Sequence, residues 1–231
     1  MSAQARHTIV TGGSGALGRA VVHAFLAAGD RVTVPWIVAR EREALEGAEE
    51  KAIVGGRLVL VEADLAGDEG AARVVAASGG AEVLVNGVGG FSGGAPVHET
   101  ELDAWDRLYR MNARTAVAMC RAVIPGMIAR RAGVILNVAS RAALERPAGL
   151  AAYAASKMAV IVLTETLQKE LGGFGVRVNA VVPTTIDTPA NRAAMPDADH
   201  AQWTPPARIA EVLVWLASPA GASVRGGLIP V

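Results

Sequence analysis

Short, uninterrupted apolar runs alternate along the chain with longer segments of helical pattern. Strand-like runs cover residues 8–10, 31–34, 57–61, 82–86, 134–138 and 176–182, with a shorter one at 227–229. Because these runs are continuous rather than alternating, they predict strands that are covered on both faces. Such strands are typical of a parallel sheet.

The segments between the runs predict helices. They cover residues 16–28, 41–51, 68–77, two helices within 101–131, then 151–171 and 208–217. The alternation predicts an α/β fold, a doubly wound parallel sheet of Rossmann type with helices on both faces. Since no linker or repeat divides the chain, we predict a single domain over residues 1–231. Residues 184–206 contain four prolines and predict an irregular excursion over the substrate.

Composition excludes several classes of function. The chain has 231 residues with 22 basic and 22 acidic side chains, so no net charge draws it to nucleic acid or an anionic membrane. No apolar run reaches the roughly 18 residues of a membrane span. The single cysteine, Cys120, and a polar N-terminus predict a cytoplasmic protein. Four scattered histidines form no ligand pair, so we predict no metal.

A glycine-rich turn joins the first strand to the first helix. Its candidate ligand-binding residues are Gly12, Ser14, Gly15, Ala16, Leu17 and Gly18. A helix N-terminus offers unpaired N–H groups and partial positive charge, and glycine lets the backbone approach a pyrophosphate. Many turns use glycine without a ligand, but the position between a strand and a helix predicts dinucleotide binding.

The end of the second strand bears on the choice of dinucleotide. Trp36 stands there, and no acidic residue is present to accept the adenosine ribose hydroxyls. Arg40 and Arg42 follow and favour NADP(H), because arginine can bind a 2′-phosphate. Both arginines could instead be solvated helix residues.

Two further strand ends suit a dinucleotide. Asp64, followed by Leu65, comes after the third strand, where its carboxylate could accept from the adenine amine or could cap the next helix. Asn86, Gly87 and Val88 end the fourth strand at the carboxyl edge, where such sheets bind ligands. A plain loop would also use this glycine.

Tyr153 and Lys157 lie four residues apart on a predicted helix and therefore share one face. A phenol with a pKa of about 10 is a poor acid at neutral pH, and a nearby ammonium should lower that pKa. Tyr153 could then exchange a proton with a carbonyl oxygen. Ser140 could hold the same oxygen, or only cap a loop. Asn112 could break its helix locally and hold a water near Lys157, or serve as a cap.

Taken in order, these motifs resemble the short-chain dehydrogenase/reductase family over nearly the whole chain. The resemblance implies an NAD(P)(H) cofactor, a Ser140, Tyr153 and Lys157 site assisted by Asn112, and a homodimer or homotetramer. It implies that Lys157 also holds the nicotinamide ribose, and it adds Pro183 and Thr185 as cofactor contacts. Ala16, Trp36 and Thr184 depart from the commonest family pattern.

Residues 12–18 and 182–205 are more closely similar to the dihydropteridine reductases. Those enzymes lack a serine at the position of Ser140, which favours ordinary carbonyl chemistry here, and they favour NADH, which opposes the argument from Arg40.

The sequence therefore predicts hydride transfer between NAD(P)H and a small or medium carbonyl compound or secondary alcohol. Reduction of a quinonoid dihydropterin is one alternative, and a non-catalytic nucleotide-sensing protein is another. We expect residues 88–96 and 184–203 to form the substrate pocket, with Met195 and Trp203 closing over the ligand or packing as a lid.

Overall fold

The computed structural model describes residues 5–231, which form a single domain around one seven-stranded sheet. Its strands are β1 His7–Thr11, β2 Arg31–Trp36, β3 Leu58–Glu62, β4 Val83–Asn86, β5 Gly133–Val138, β6 Val176–Val182 and β7 Leu228–Pro230. They lie in the order β3-β2-β1-β4-β5-β6-β7, and every pair is parallel. The predicted doubly wound parallel sheet is confirmed.

Helices connect the strands. They are α1 Ala16–Ala27, α2 Ala39–Ala48, α3 Glu50–Val54, α4 Asp68–Ser78, α5 Leu102–Tyr109, α6 Thr115–Arg130, α7 Arg141–Glu145, α8 Ala151–Leu171, α9 Pro189–Ala194 and α10 Pro206–Ala217. A π-helical turn, Arg110–Arg114, joins α5 to α6. Short 3-10 turns cover Val97–Glu99, Gly172–Phe174, His200–Gln202 and Pro219–Gly221.

The two faces of the sheet bury separate apolar clusters. On one face α1 and α10 contribute Val21, Phe25 and Leu213, which are all but inaccessible to solvent. On the other face α4, α6 and α8 contribute side chains such as Val74 and Met119. Burial on both faces explains why the strand runs are continuously apolar.

A buried polar chain crosses the middle of the sheet and holds α8 in register. The Asn86 amide donates to Asn137 Oδ1 at 2.9 Å, and the Asn137 amide donates to Thr164 Oγ1 at 2.8 Å. Hydrogen bonds between buried polar groups restrict the arrangement of their elements, and within residues 5–231 only Asn86 Oδ1 of this network lacks a partner. These hydrogen bonds therefore fix the position of α8 relative to the carboxyl ends of β4 and β5.

Several element boundaries differ from the sequence-based prediction. β2 continues two residues further, to Trp36, and the predicted helix at 41–51 divides into α2 and α3. Helix α7 was not predicted, because five residues are too few to show a helical period. Within the excursion, Thr188 caps α9 by accepting from the Asn191 N–H at 3.2 Å.

The strand order reverses between β1 and β4, which leaves a crevice at the carboxyl edge of the sheet. The glycine turn after β1 and the loop after β4 both open into this crevice. Such a point is where open α/β sheets bind ligands.

Candidate active site

Three glycines of the turn leave no room for a side chain. Gly12 has φ +66°, and a Cβ there would lie 2.7 Å from the Gly87 carbonyl oxygen. A Cβ on Gly13 would lie 2.8 Å from Val34, and one on Gly18 would overlap the Gly12 carbonyl. At Gly15, by contrast, the added atom would meet only the Gly12 oxygen, at 3.4 Å. The sequence did not single out Gly13, because its neighbour Val34 belongs to another strand.

Thr11 ties the glycine turn to the loop after β4. Its Oγ1 accepts hydrogen bonds from the Gly87 N–H at 3.0 Å and the Val88 N–H at 3.3 Å. The Val88 side chain packs into the apolar cluster under α4 and α6. The two loops that border the crevice are thus one unit, and Thr11 is a site residue that the sequence analysis missed.

The turn fits the pyrophosphate of a dinucleotide. Gly15 is the N-cap of α1 with extended backbone, and no side chain caps this end. Ala16 and Leu17 form the first turn, so their N–H groups lie at the positive end of the helix dipole. A backbone cradle without side chains next to such a helix end is the arrangement that an anionic group requires.

The end of β2 carries a cluster of charged residues. The Arg42 guanidinium lies 4.9 Å from the centre of the half-buried Trp36 ring, whereas Arg40 is exposed and makes no ion pair within residues 5–231. Ser14 in the glycine turn donates to Glu41 Oε2 at 3.1 Å. Glu41 is a second residue that the sequence missed, since it lies 27 positions from Ser14.

Asp64 and Leu65 have different surroundings. Asp64 borders a cavity of about 590 Å³ with Ile37 and Gly67. It accepts from the Ala66 N–H at 2.9 Å, and it does not cap α4, whose N-cap is Gly67. The Leu65 side chain is buried in the apolar core, so only its backbone can contact a cofactor.

Tyr153 and Lys157 lie one turn apart on α8, beside the crevice. The Lys157 ammonium is buried and donates to the Val138 carbonyl at 2.9 Å. Burial lowers the pKa of Lys157 to about 8. Burial also raises the pKa of Tyr153, although a hydrogen bond with the Ser140 side chain acts in the opposite direction. The pKa of the phenol is therefore raised overall, contrary to the expectation of a lowered value, because desolvation is the largest effect.

Ser140 has one of the two roles that the sequence left open, the cap, and the contact with a substrate oxygen stays a prediction. It is the N-cap of α7, where its Oγ accepts from the Ala142 N–H at 3.3 Å, and its side chain lowers the pKa of the nearby Tyr153 phenol. Pro183 lies beside it, since its carbonyl accepts from the Arg141 N–H at 2.9 Å. Thr185 is half-buried and pairs through its carbonyl with the Thr204 N–H.

Asn112 lies in the π-helical turn and clamps the loop after β4 to α8. Its Oδ1 accepts from the Gly90 N–H at 2.8 Å, and its amide donates to the Gly90 carbonyl at 3.1 Å and to Ser156 Oγ at 2.9 Å. Ser156 in turn donates to the Tyr153 carbonyl at 2.7 Å. This clamp was not predicted, and the water near Lys157 stays a prediction.

The outer side of the crevice is exposed. The Phe91 ring meets the Tyr153 ring edge-on at 5.0 Å and is 66% exposed. Met195 is partly exposed, and Trp203 packs on His200 with ring centres 4.3 Å apart. Within the excursion, Arg192 and Asp187 form a bidentate ion pair. These contacts place part of the predicted segment 88–96 against the phenol.

Other candidate chemistry finds no support among residues 5–231. No group of three or more His, Cys, Asp or Glu side chains is arranged to hold a metal ion there. Over the same part of the chain, no helix combines the length and apolar character needed to cross a membrane. Burial raises the pKa of the Cys120 thiol to about 12, which leaves it unreactive.

Comparison with known proteins gives consistent matches. A family model described as short chain dehydrogenase matches residues 6–199. A 2-(R)-hydroxypropyl-CoM dehydrogenase of Xanthobacter autotrophicus is 37% identical over 190 residues, covering 80% of this chain and 76% of the relative.

Two solved structures carry cofactors. A 3-oxoacyl-[acyl-carrier protein] reductase from Brucella melitensis with bound NAD superposes with a TM-score of 0.84 at 30% identity, covering 98% of this chain and 89% of that one. A blue fluorescent protein from a metagenomic library, in complex with NADPH, has a TM-score of 0.86 at 29% identity, with coverage of 98% and 96%.

Proposed function

This chain belongs to the short chain dehydrogenase family, and from that premise we propose that it transfers hydride reversibly between NAD(P)(H) and a small or medium ketone or secondary alcohol. Its relatives are dehydrogenases and reductases, so the chain is an oxidoreductase that acts on CH–OH or C=O groups with a nicotinamide cofactor. The identity of the substrate and the roles of the residues are the proposal.

One observation carries this proposal. The Ser140 side chain lies close enough to the Tyr153 phenol to lower its pKa, and Lys157 lies one helical turn away from Tyr153. Both side chains lie at the carboxyl edge of the sheet where the glycine turn opens. A proton donor, a second hydroxyl and a dinucleotide cradle thus share one crevice.

Each residue has a definite task in this proposal. The bound nicotinamide supplies or accepts the hydride. Ser140 donates a hydrogen bond to the substrate oxygen, and Tyr153 gives that oxygen a proton in reduction or takes one in oxidation. Lys157, whose pKa of about 8 keeps it mostly charged at neutral pH, favours the phenolate form when the proton leaves. Asn112 holds the loop and α8 together.

The cofactor residues are proposed on the same basis. The backbone of Gly12, Gly15 and Gly18 would hold the pyrophosphate, and Asp64 would face the adenine. The loop from Asn86 to Val88, with Pro183 and Thr185, would border the nicotinamide end. Preference for NADP(H) stays a prediction that rests on Arg40.

The substitution Tyr153→Phe tests the proposed acid. We expect turnover of any ketone substrate to fall by about 10²–10⁴-fold, because the proton donor is lost. Titration of dinucleotide fluorescence should show binding retained. Tyr109→Phe, at the other tyrosine, is the matched control and should keep full activity. Undiminished turnover by Tyr153→Phe would show that another group donates the proton.

Reduction of a quinonoid dihydropterin is the second candidate, favoured by the similarity of residues 182–205 to the dihydropteridine reductases. This segment forms much of the outer side of the crevice. Rates with quinonoid dihydropterin and with a panel of ketones, measured on one preparation, separate the two. A dihydropterin rate far above all the ketone rates would favour the second candidate.

The predicted homodimer or homotetramer also belongs to the proposal. Exposed apolar side chains on α5, α6 and α8 would lie in the interface: Leu102, Tyr109, Val117 and Val162. Light scattering of the purified protein would give the number of subunits.

A further inference from the structure

The glycine turn has a carboxylate beside it that comes from a distant part of the sequence. Glu41 lies in the first turn of α2, and its Oε2 accepts the hydrogen bond of Ser14 at 3.1 Å. The Ser14 end of this bond is fixed because Ser14 is buried within the turn. Glu41 itself is exposed, and within residues 5–231 its Oε1 has no hydrogen-bond partner. One oxygen is therefore anchored and the other is available to a ligand.

The position of this carboxylate matches the adenosine ribose of a bound dinucleotide. In a sheet of this type the ribose lies between the glycine turn and the end of the second strand, where an acidic side chain accepts its hydroxyls. Here Trp36 ends β2 and offers no such acceptor. The hydrogen bond from Ser14 to Glu41 joins the glycine turn to α2. It therefore holds a carboxylate beside the region where the ribose is expected.

Resting on the proposed function, we propose that Glu41 selects the dinucleotide by accepting the ribose hydroxyls, which favours NAD(H) over NADP(H). An ionised carboxylate accepts strong hydrogen bonds from hydroxyl groups. It repels a 2′-phosphate, which carries close to two negative charges at neutral pH, and such repulsion is an effective way to reject a ligand.

The neighbouring arginines do not provide a free phosphate site. The Arg42 guanidinium lies over Trp36 and within 3.9 Å of Glu43 and 3.6 Å of Glu46. Arg40 is exposed and is not held towards the turn by any ion pair within residues 5–231. Three glutamates thus outnumber two arginines between positions 40 and 46. The argument from Arg40 for NADP(H) and the argument from Glu41 for NAD(H) predict opposite preferences.

The test is a fluorescence titration of the full chain with NADH and with NADPH, which measures binding without turnover. We expect the wild-type protein to bind NADH at least about tenfold more tightly, since hydrogen bonds to a charged group are strong. Glu41→Gln, which removes the charge and keeps the shape, should reduce the NADH-to-NADPH affinity ratio by roughly tenfold or more.

Two control variants distinguish an effect of Glu41 itself from a general effect of charge on α2. Glu43→Gln removes the same charge two residues further along α2, on another face of the helix, and should leave the ratio within about twofold. Arg40→Gln should likewise leave the ratio unchanged, whereas it should weaken NADPH binding if Arg40 holds the 2′-phosphate. Thermal unfolding of each variant confirms that it is folded.

The outcomes are distinct. A wild-type preference for NADPH, or equal ratios for Glu41→Gln and Glu43→Gln, would overturn the assignment of Glu41 and leave the proposed function standing. Failure of the wild-type protein to bind either dinucleotide would overturn both.

Discussion

The crevice has two walls that are built differently. The inner wall consists of the glycine turn, the loop at 86–90, the π-helical turn and the part of α8 that carries Tyr153 and Lys157. Here Asn112 and Lys157 are buried and bonded to backbone groups. The outer wall consists of residues 91–96 and 184–206, where Phe91 and Met195 remain open to solvent.

Because one wall is rigid and the other is open, the two walls should serve different parts of the reaction. In the inner wall, close backbone packing and buried hydrogen bonds leave one arrangement, as the proposed proton donor and cofactor site would require. In the outer wall, a few exposed contacts hold the chain, so side chains there can change without disturbing the fold. Substrate choice should therefore depend on the outer wall and catalytic rate on the inner wall.

The largest effect should come from filling the glycine turn. In Gly18→Ala the new Cβ would overlap the Gly12 carbonyl, so the turn must open or the helix must shift. We expect dinucleotide affinity to fall by more than about 100-fold, since a displacement of the cradle removes several N–H contacts at once. Isothermal titration with NADH and NADPH measures this loss.

Gly47→Ala, in α2, is the matched control for this prediction. It adds the same methyl group at a glycine outside the turn, where no atom lies within 4 Å of the new Cβ. Its dinucleotide affinity should stay within about threefold of wild type. Equal losses of dinucleotide affinity in the two variants would show that the close packing of Gly18 against Gly12 is not required for binding.

A second effect concerns the buried lysine. The pKa of Lys157 is about 8 in the folded protein and 10.5 for a free lysine. Between these values the unfolded chain binds more protons, so this lysine makes stability rise with pH from about 8 to about 10.5, and its full cost is present below pH 8. The rise should be up to about 3 kcal/mol, and it should be absent in Lys157→Met.

Urea unfolding at about pH 7 and about pH 10 gives the change in the free energy of unfolding with pH for each protein. The contribution of Lys157 is the difference between this change in wild type and in Lys157→Met. The comparison cancels other groups that titrate in both proteins. Parallel changes in the two proteins would show that Lys157 is not held in a desolvated site.

The smallest effect should come from the outer wall. The hydrogen bond from Arg192 lowers the pKa of the Asp187 carboxyl, so the pair persists through neutral pH. Because the Arg192 end of the pair is half exposed and water screens the interaction, Asp187→Asn and Arg192→Gln should change the midpoint of thermal unfolding only slightly. We expect KM for the substrate to change by about threefold with kcat constant, since we propose that the excursion borders the substrate.

Steady-state kinetics with one ketone checks the third prediction, and Arg208→Gln, in another exposed pair on α10, is its control. A marked fall in kcat for the Asp187 or Arg192 variant would show that the excursion participates in the chemical step.

Sequence patterns predicted the elements whose burial is regular. The limits of α8 and β6 agree with the apolar pattern, since both are long and pack along their whole length. The glycine turn and the spacing of Tyr153 and Lys157 were visible because they are local.

Features that depend on distant parts of the chain were not visible. The bond between Ser14 and Glu41 and that between Asn112 and Ser156 join residues 27 and 44 positions apart. The direction of the Tyr153 pKa depends on how deeply the fold buries the phenol, which spacing does not encode. Helix α7 is too short to have a period.

The π-helical turn makes the site sensitive to the number of residues as well as to their identity. Each residue of an α-helix rotates the chain by about 100°, so the extra residue in Arg110–Arg114 puts α5 and α6 out of phase by that angle. Deleting one residue of the turn other than Asn112 would let α5 and α6 merge into one continuous α-helix. Asn112 would then rotate away from Gly90. The site would lose its alignment although every proposed catalytic side chain is still present.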